Sequence, residues 1–130
     1  MELNILNEKL NVDVGKYHEV DEYKFWYIYC QLLNIRNPIL SDKDCVALAH
    51  MLCLEDTESS LLSKENKAIL ADRTKISHPN LFGKCKQLVD KKFLIKIDNE
   101  YFIQPALLNF KKFIKSNRLD IKFTIPLKLE

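Results

Sequence analysis

Apolar and polar residues alternate without a break near the C-terminal end of the chain. Leu119, Ile121, Phe123, Ile125, Leu127 and Leu129 take the odd positions, and Asp, Lys, Thr, Pro or Glu the even ones. A period of two predicts a β-strand over 119–130. Such a strand needs a neighbour, because its unpaired N–H and C=O groups otherwise form an open sheet edge. Leu3 to Leu6 and Leu10 to Val14 read as short strands around Asn7-Glu8-Lys9, so the two ends of the chain are expected to share a sheet or to pair with an adjacent subunit. Between them the period becomes helical. Asp21 is placed to cap a helix reaching about Leu33, with Phe25, Trp26, Ile28, Tyr29, Leu32 and Leu33 on its apolar face, and Pro38 closes that region. Ser41, with Asp44 three residues on, opens a second helix that buries Cys45, Val46, Leu48, Ala49, Leu52 and Cys53.

From Ser63 to Ile103 the pattern predicts helix, tight turn, helix and hairpin. Ser63 caps the first of these helices, which carries Ala68, Ile69 and Leu70 inward to a turn at Thr74-Lys75-Ile76. Ser77 caps the next helix. There Leu81, Cys85 and Leu88 recur at four- and three-residue steps and share a buried face, leaving His78, Asn80, Gly83, Lys84 and Gln87 outside. Phe93 to Ile97 and Tyr101 to Ile103 form a hairpin around Asp98-Asn99, with Lys96 on its surface. Pro105 opens a last helix to about Ser116 that buries Leu107, Leu108, Phe110, Phe113 and Ile114 and turns Lys111, Lys112 and Lys115 outward. This is the element order of a winged helix-turn-helix, in which the outer face of the second helix reads bases. The expected fold is therefore α+β: one domain, with N-terminal strands over 1–15, a winged-helix core over 20–116 and a C-terminal docking strand over 119–130. Leu119, Ile121, Phe123, Ile125 and Leu127 are the candidate subunit contacts of that strand.

Composition tempers the nucleic-acid reading. The 130 residues are 47% hydrophobic, which suits a single modest core. The net charge is only +2, and the pI of 8.3 falls below the value of about 9 typical of a phosphate-neutralising surface. Within the helix-turn-helix and hairpin, Lys64, Lys67, Arg73, Lys75, Lys84, Lys86, Lys91, Lys92 and Lys96 are offset by Glu65, Asp72, Asp90, Asp98 and Glu100. No apolar run approaches membrane-spanning length, and the N-terminus lacks the pattern of a signal peptide, so synthesis in the cytoplasm and no membrane partner are expected.

Little in the chain points to chemistry. Cys30, Cys45, Cys53 and Cys85 show no metal or redox spacing and read as core thiols, and His18, His50 and His78 fall on three separate elements. With glycine only at Gly15 and Gly83, there is no phosphate-cradling loop, and no nucleophile motif is present. No catalytic residue, metal site or cofactor is expected. Gly83 in the middle of its helix costs roughly 1 kcal/mol against Ala, which suggests the close approach of another backbone.

Ile76-Ser77, Asn80-Leu81, Leu88 and Lys91, together with Ser63-Lys64-Glu65 and Ile103-Gln104-Pro105-Ala106-Leu107, resemble the small winged-helix proteins of tailed bacteriophages, particularly the crAss-like phages of Bacteroidetes. The resemblance spans roughly Leu40 to Leu108. It departs at Lys92, where many winged helices carry glycine before the hairpin strand. It implies a winged-helix fold in a phage setting, where such domains serve as DNA-binding regulators or as virion parts of the portal, neck or tail. The near-balanced charge and the strand-bearing ends favour a non-enzymatic virion structural or assembly protein. Its partners would be other virion proteins or copies of itself, and the alternative is a transcriptional regulator that binds double-stranded DNA. On either reading His78, Asn80, Gly83, Lys84, Gln87 and Lys96 are the expected contacts with nucleic acid or partner.

Overall fold

A computed structural model describes the backbone of residues 2–6, 9–16, 21–36, 38–117 and 120–126, and the side chains of 21–35 and 38–115. Its elements run β1 (Glu2–Leu6), β2 (Lys9–Lys16), α1 (Glu22–Arg36), α2 (Asp42–Leu52), α3 (Lys64–Thr74), α4 (His78–Asp90), β3 (Leu94–Ile97), β4 (Glu100–Ile103), α5 (Pro105–Asn117) and β5 (Asp120–Pro126). The class is α+β. The two chain ends form one antiparallel sheet in the order β1-β2-β5, so the C-terminal strand pairs within its own chain. Leu3, Val12 and Phe123 lie in one cross-strand row, and Ile5, Leu10 and Ile125 in another. Directly opposed residues share a face, so these six positions lie on one side of the sheet. The register shifts between Asp13 and Gly15, where one extra residue bulges from β2. Leu119, Leu127 and Leu129 lie outside the described residues.

α1, α2 and α3 start where a side chain satisfies free N–H groups. Asp21 accepts from the Lys24 amide at 3.0 Å. Ser41 and Asp44 form a complete capping box, and Ser63 Oγ accepts from the Asn66 amide at 3.2 Å. The helix ends follow equally local rules. Lys75 stops α3 in the left-handed conformation at φ 60°, and Thr74 closes the turn by donating to Leu70 O at 2.6 Å while accepting from the Ile76 amide. α4 ends in a Schellman motif, with Phe93 N–H donating to Leu88 O and Lys92 N–H to Val89 O. Lys92 stands at its left-handed position with φ 72°. Glycine would adopt this conformation freely, so Lys92 holds it at a cost. In the hairpin, Asp98 and Asn99 both have positive φ, as a two-residue type I′ turn requires.

One core joins the helices and the hairpin. It gathers Phe25, Trp26 and Cys30 from α1, Leu48 and Leu52 from α2, Leu70 from α3, Leu81, Cys85 and Leu88 from α4, Leu94, Tyr101 and Ile103 from the hairpin, and Ile114 from α5. The Trp26 ring meets Phe25, Tyr29 and Phe110 edge-on, which ties α1 to α5. Leu61, in the segment before α3, donates its N–H to Tyr101 O at 2.8 Å and anchors that segment to the hairpin.

Several expected inward residues face water instead. Ala68 and Ile69 are exposed and Leu70 alone of that trio is buried, because three consecutive residues span about 200° of a helix and cannot share one face. Leu33 and Phe113 are exposed for the same geometric reason, while Val46 and Cys53 are half-buried and Ala47 and Met51 take the buried positions of α2. Lys111 is the reverse case. Expected on the outer face of α5, it is only 3% exposed, and its ammonium donates to Leu54 O at 2.9 Å just past the C-terminus of α2.

Candidate functional site

The outer face of α4 and the adjoining hairpin hold the residues expected to meet a partner. α4 is oriented by Leu81, Cys85 and Leu88, all fully buried, which fixes what its other sides present. His78, Asn80 and Gln87 are exposed, as is Lys96 on β3. Gly83 is half-buried. A Cβ built on it meets nothing within 4 Å among the described residues, so Gly83 makes no close approach to another of their backbones. Ser77 stands at the N-cap of α4, yet its hydroxyl makes no capping bond, and the first turn of the helix holds no acidic residue.

Lys84 departs most from expectation. Its ammonium is turned away from solvent toward α2, where it donates to Asp44 Oδ1 at 2.7 Å and to Gln87 Oε1 at 3.1 Å. Lys91, two turns further on, donates to Asp44 Oδ2 at 2.5 Å, and the Ser41 amide donates to that same oxygen at 3.0 Å. The Asp44 side chain is 1% exposed, while those of Lys84 and Lys91 are 16% and 32% exposed. Burial pushes the Asp44 carboxyl up, but the hydrogen bonds from Lys84, Lys91 and Ser41, with the Lys84 charge, outweigh it and hold the group at about 2. Three donors thus engage both oxygens of one buried carboxylate. At about 100° per residue Lys84 lies only about 60° round the helix from Leu81. It borders the buried stripe, and a helical projection of the sequence contains that signal. The identity of its partner is not a local property, since Asp44 sits on a different helix.

Beside this network runs a groove of about 510 Å³ lined by Lys43 and Val46 of α2, Thr74 to Ser77 of the turn, and Asn80 and Lys84 of α4. On the opposite flank of α4, Phe82 is 49% exposed and meets the Tyr101 ring edge-on at 5.5 Å. Lys96 Nζ stands 5.8 Å above that same ring, within cation–π range. The Tyr101 hydroxyl is buried without a hydrogen-bond partner among the described residues. Ile97, at the end of β3 beside the turn, is 52% exposed. The face therefore offers neutral polar groups (Asn80, Gln87), exposed apolar side chains (Phe82, Ile97) and cations at its margins. Phe82 and Asp44 are the residues that sequence reasoning passed over, the first as an exposed apolar residue off the buried stripe and the second because its capping role accounted for it.

No family model, curated protein or solved structure matches the chain.

Away from this face, titratable groups serve the packing. Burial pushes the Cys85 and Cys53 thiols up to about 12 and raises Cys30 and Cys45 as well, so all four are protonated near neutral pH and poor nucleophiles. His50 stacks on Tyr23 with centroids 4.1 Å apart, and burial, aided by the Arg73 charge, lowers its pKa. Tyr27 donates to Asp42 Oδ1 at 2.5 Å, a bond that raises its hydroxyl to about 12. Among the described residues no group of three or more His, Cys, Asp or Glu is placed to hold a metal ion, and no helix is long and apolar enough to cross a membrane.

Proposed function

We propose that this chain is a non-enzymatic structural or assembly protein of a bacteriophage virion, built on a winged helix-turn-helix scaffold and meeting its neighbours through protein contacts. The observation that carries the reading is the Asp44 network: two of the lysines that could have neutralised phosphate along α4 are held by one carboxylate of the same chain. What remains outward on α4 is largely neutral or apolar, a surface better suited to protein than to duplex DNA. The run α3, turn, α4, β3, β4, with the Leu61 segment bonded to the hairpin, supports the winged-helix scaffold. The phage setting rests on the resemblance of the framework residues. β1 and β5 form the two edges of the terminal sheet, and they offer backbone groups to an adjacent subunit, with Ile121, Phe123 and Ile125 on the β5 side.

Titration of a fluorescent duplex at physiological salt tests this reading, which expects only weak, sequence-independent binding. Nanomolar, selective binding lost in Asn80→Ala would overturn it. A mass-spectrometric inventory of particles of the encoding phage should contain the chain in stoichiometric amount. The second reading, a DNA-binding regulator, draws support from the groove at the start of α4, where Lys43 and Lys75 flank Asn80.

A further inference from the structure

The Asp44 network bears on more than the packing of α4 against α2. Lys84 also lines the groove that holds Asn80, Ser77, Lys43 and Lys75, so its ammonium sits at the border between a buried ion pair and an open cationic groove. A lysine stem has several rotatable bonds, and both Lys84 and Lys91 retain some exposure, so each can swing to solvent when its partner charge is gone. Asp44 is fixed. Its oxygens are engaged by Ser41, Lys84 and Lys91, and its backbone is locked at the first turn of α2 by the capping box.

We propose that Asp44 sets the class of partner this face accepts, by withholding the ammonium groups of Lys84 and Lys91 from polyanions. The inference deepens the functional reading above and rests on it. With Asp44 in place, this flank of α4 presents Asn80 and Gln87 to a protein surface. Without its charge, the Lys84 ammonium joins Lys43 and Lys75 around the groove, that of Lys91 is freed two turns further along the same flank of α4, and this flank becomes a binding surface for phosphate backbones. The device acts through charge alone. It needs no rearrangement of the helices, only the release of two side chains.

The test compares the full chain, Asp44→Asn and the triple variant Asp44→Asn, Lys84→Met, Lys91→Met, each titrated with a mixed-sequence duplex across a range of salt. Asp44→Asn keeps the shape and an oxygen for the Ser41 amide. Its binding should depend more steeply on salt by about 1.8 in log–log slope, because two further phosphates each contribute about 0.9. The triple variant should return to the slope of the unmodified chain. An unchanged slope in folded Asp44→Asn, or a steep slope that persists in the triple variant, overturns the inference and leaves the functional reading standing. Tight, selective binding by the unmodified chain overturns the functional reading itself. A measurement on the unmodified chain guards against a variant that fails to fold: during brief acylation mapped by mass spectrometry, Lys84 and Lys91 should react at least tenfold more slowly than Lys86, and equal rates would show that these ammonium groups are not withheld.

Discussion

The two ends of α2 each hold a buried charge, and the two are solved differently. At the N-terminus Asp44 receives Lys84, Lys91 and a backbone amide, so its desolvation is more than offset and its carboxyl is easier to ionise than in water. Just past the C-terminus Lys111 has one carbonyl at 2.9 Å and Glu22 only at 3.8 Å. Burial lowers its pKa despite Glu22, so its charge is disfavoured where it stands. Both charges suit the helix macrodipole, negative at the N-terminus and positive beyond the C-terminus. Agreement with the dipole is therefore not what separates them. The number of charged hydrogen-bond partners decides whether burial strengthens or weakens an ion, and the same helix shows both outcomes.

The comparison can be broken most directly at its stronger end. Lys84→Met with Lys91→Met leaves Asp44 buried with only the Ser41 amide, and chemical denaturation should show a loss of about 3–5 kcal/mol. A loss below about 1 kcal/mol would mean that Asp44 finds solvent and that the contrast with Lys111 is false. The acid limb of the stability curve gives the next largest effect. Asp44 titrates near 2 when folded against an ordinary value of 3.8, so its contribution is complete above pH 4 and is lost as pH falls toward 2. That contribution is about 2 kcal/mol, and the corresponding part of the acid limb should vanish in Asp44→Asn. Lys111 has the opposite sign. Its folded pKa lies below the ordinary 10.5, so the cost of its charge should shrink as pH rises toward that value. Lys111→Met leaves Leu54 O without its donor and should cost about 1–2 kcal/mol, well under the double lysine change. A loss equal to that of the double variant would erase the difference between the two ends. The smallest effect is a gain: Lys92→Gly relieves a left-handed lysine and should raise stability by about 1 kcal/mol, read as a higher midpoint with an unchanged slope in denaturant.

What could be read from the chain in advance divides along the range of the interactions. The caps at Ser41 and Ser63, the stripe Leu81-Cys85-Leu88, the Asp98-Asn99 turn and the strand character of the chain ends follow from residues a few positions apart or from strict periodicity, whereas the choice between pairing the ends with each other and pairing them with an adjacent subunit is not contained in the alternation. Lys84 and Lys111 leave the outer faces their spacing predicts because each reaches a partner on another element, Asp44 in one case and Leu54 O in the other. A charge at the margin of an apolar stripe reads as surface until its partner is known. Ala68 and Ile69 differ for a simpler reason, since a run of consecutive apolar residues is not a helix face. The candidate contacts His78, Asn80, Gln87 and Lys96 are exposed, as their spacing predicts, whereas the exposed aromatic Phe82 carries no periodic signal.

The bond from the Leu61 amide to Tyr101 O closes a loop that contains all of α3, α4 and most of the hairpin. Closing so long a loop costs chain entropy that is regained only once the elements inside it are formed. The contact therefore belongs late in folding, after the two helices have docked and the Asp98-Asn99 turn has set the strands. It also makes one amide in an otherwise irregular segment report on the whole unit. Leu61 cannot exchange its proton for deuterium by fraying of a nearby end, because the carbonyl that protects it is held in β4 by the core. Its exchange should follow the opening of the entire assembly of α3, α4 and the hairpin.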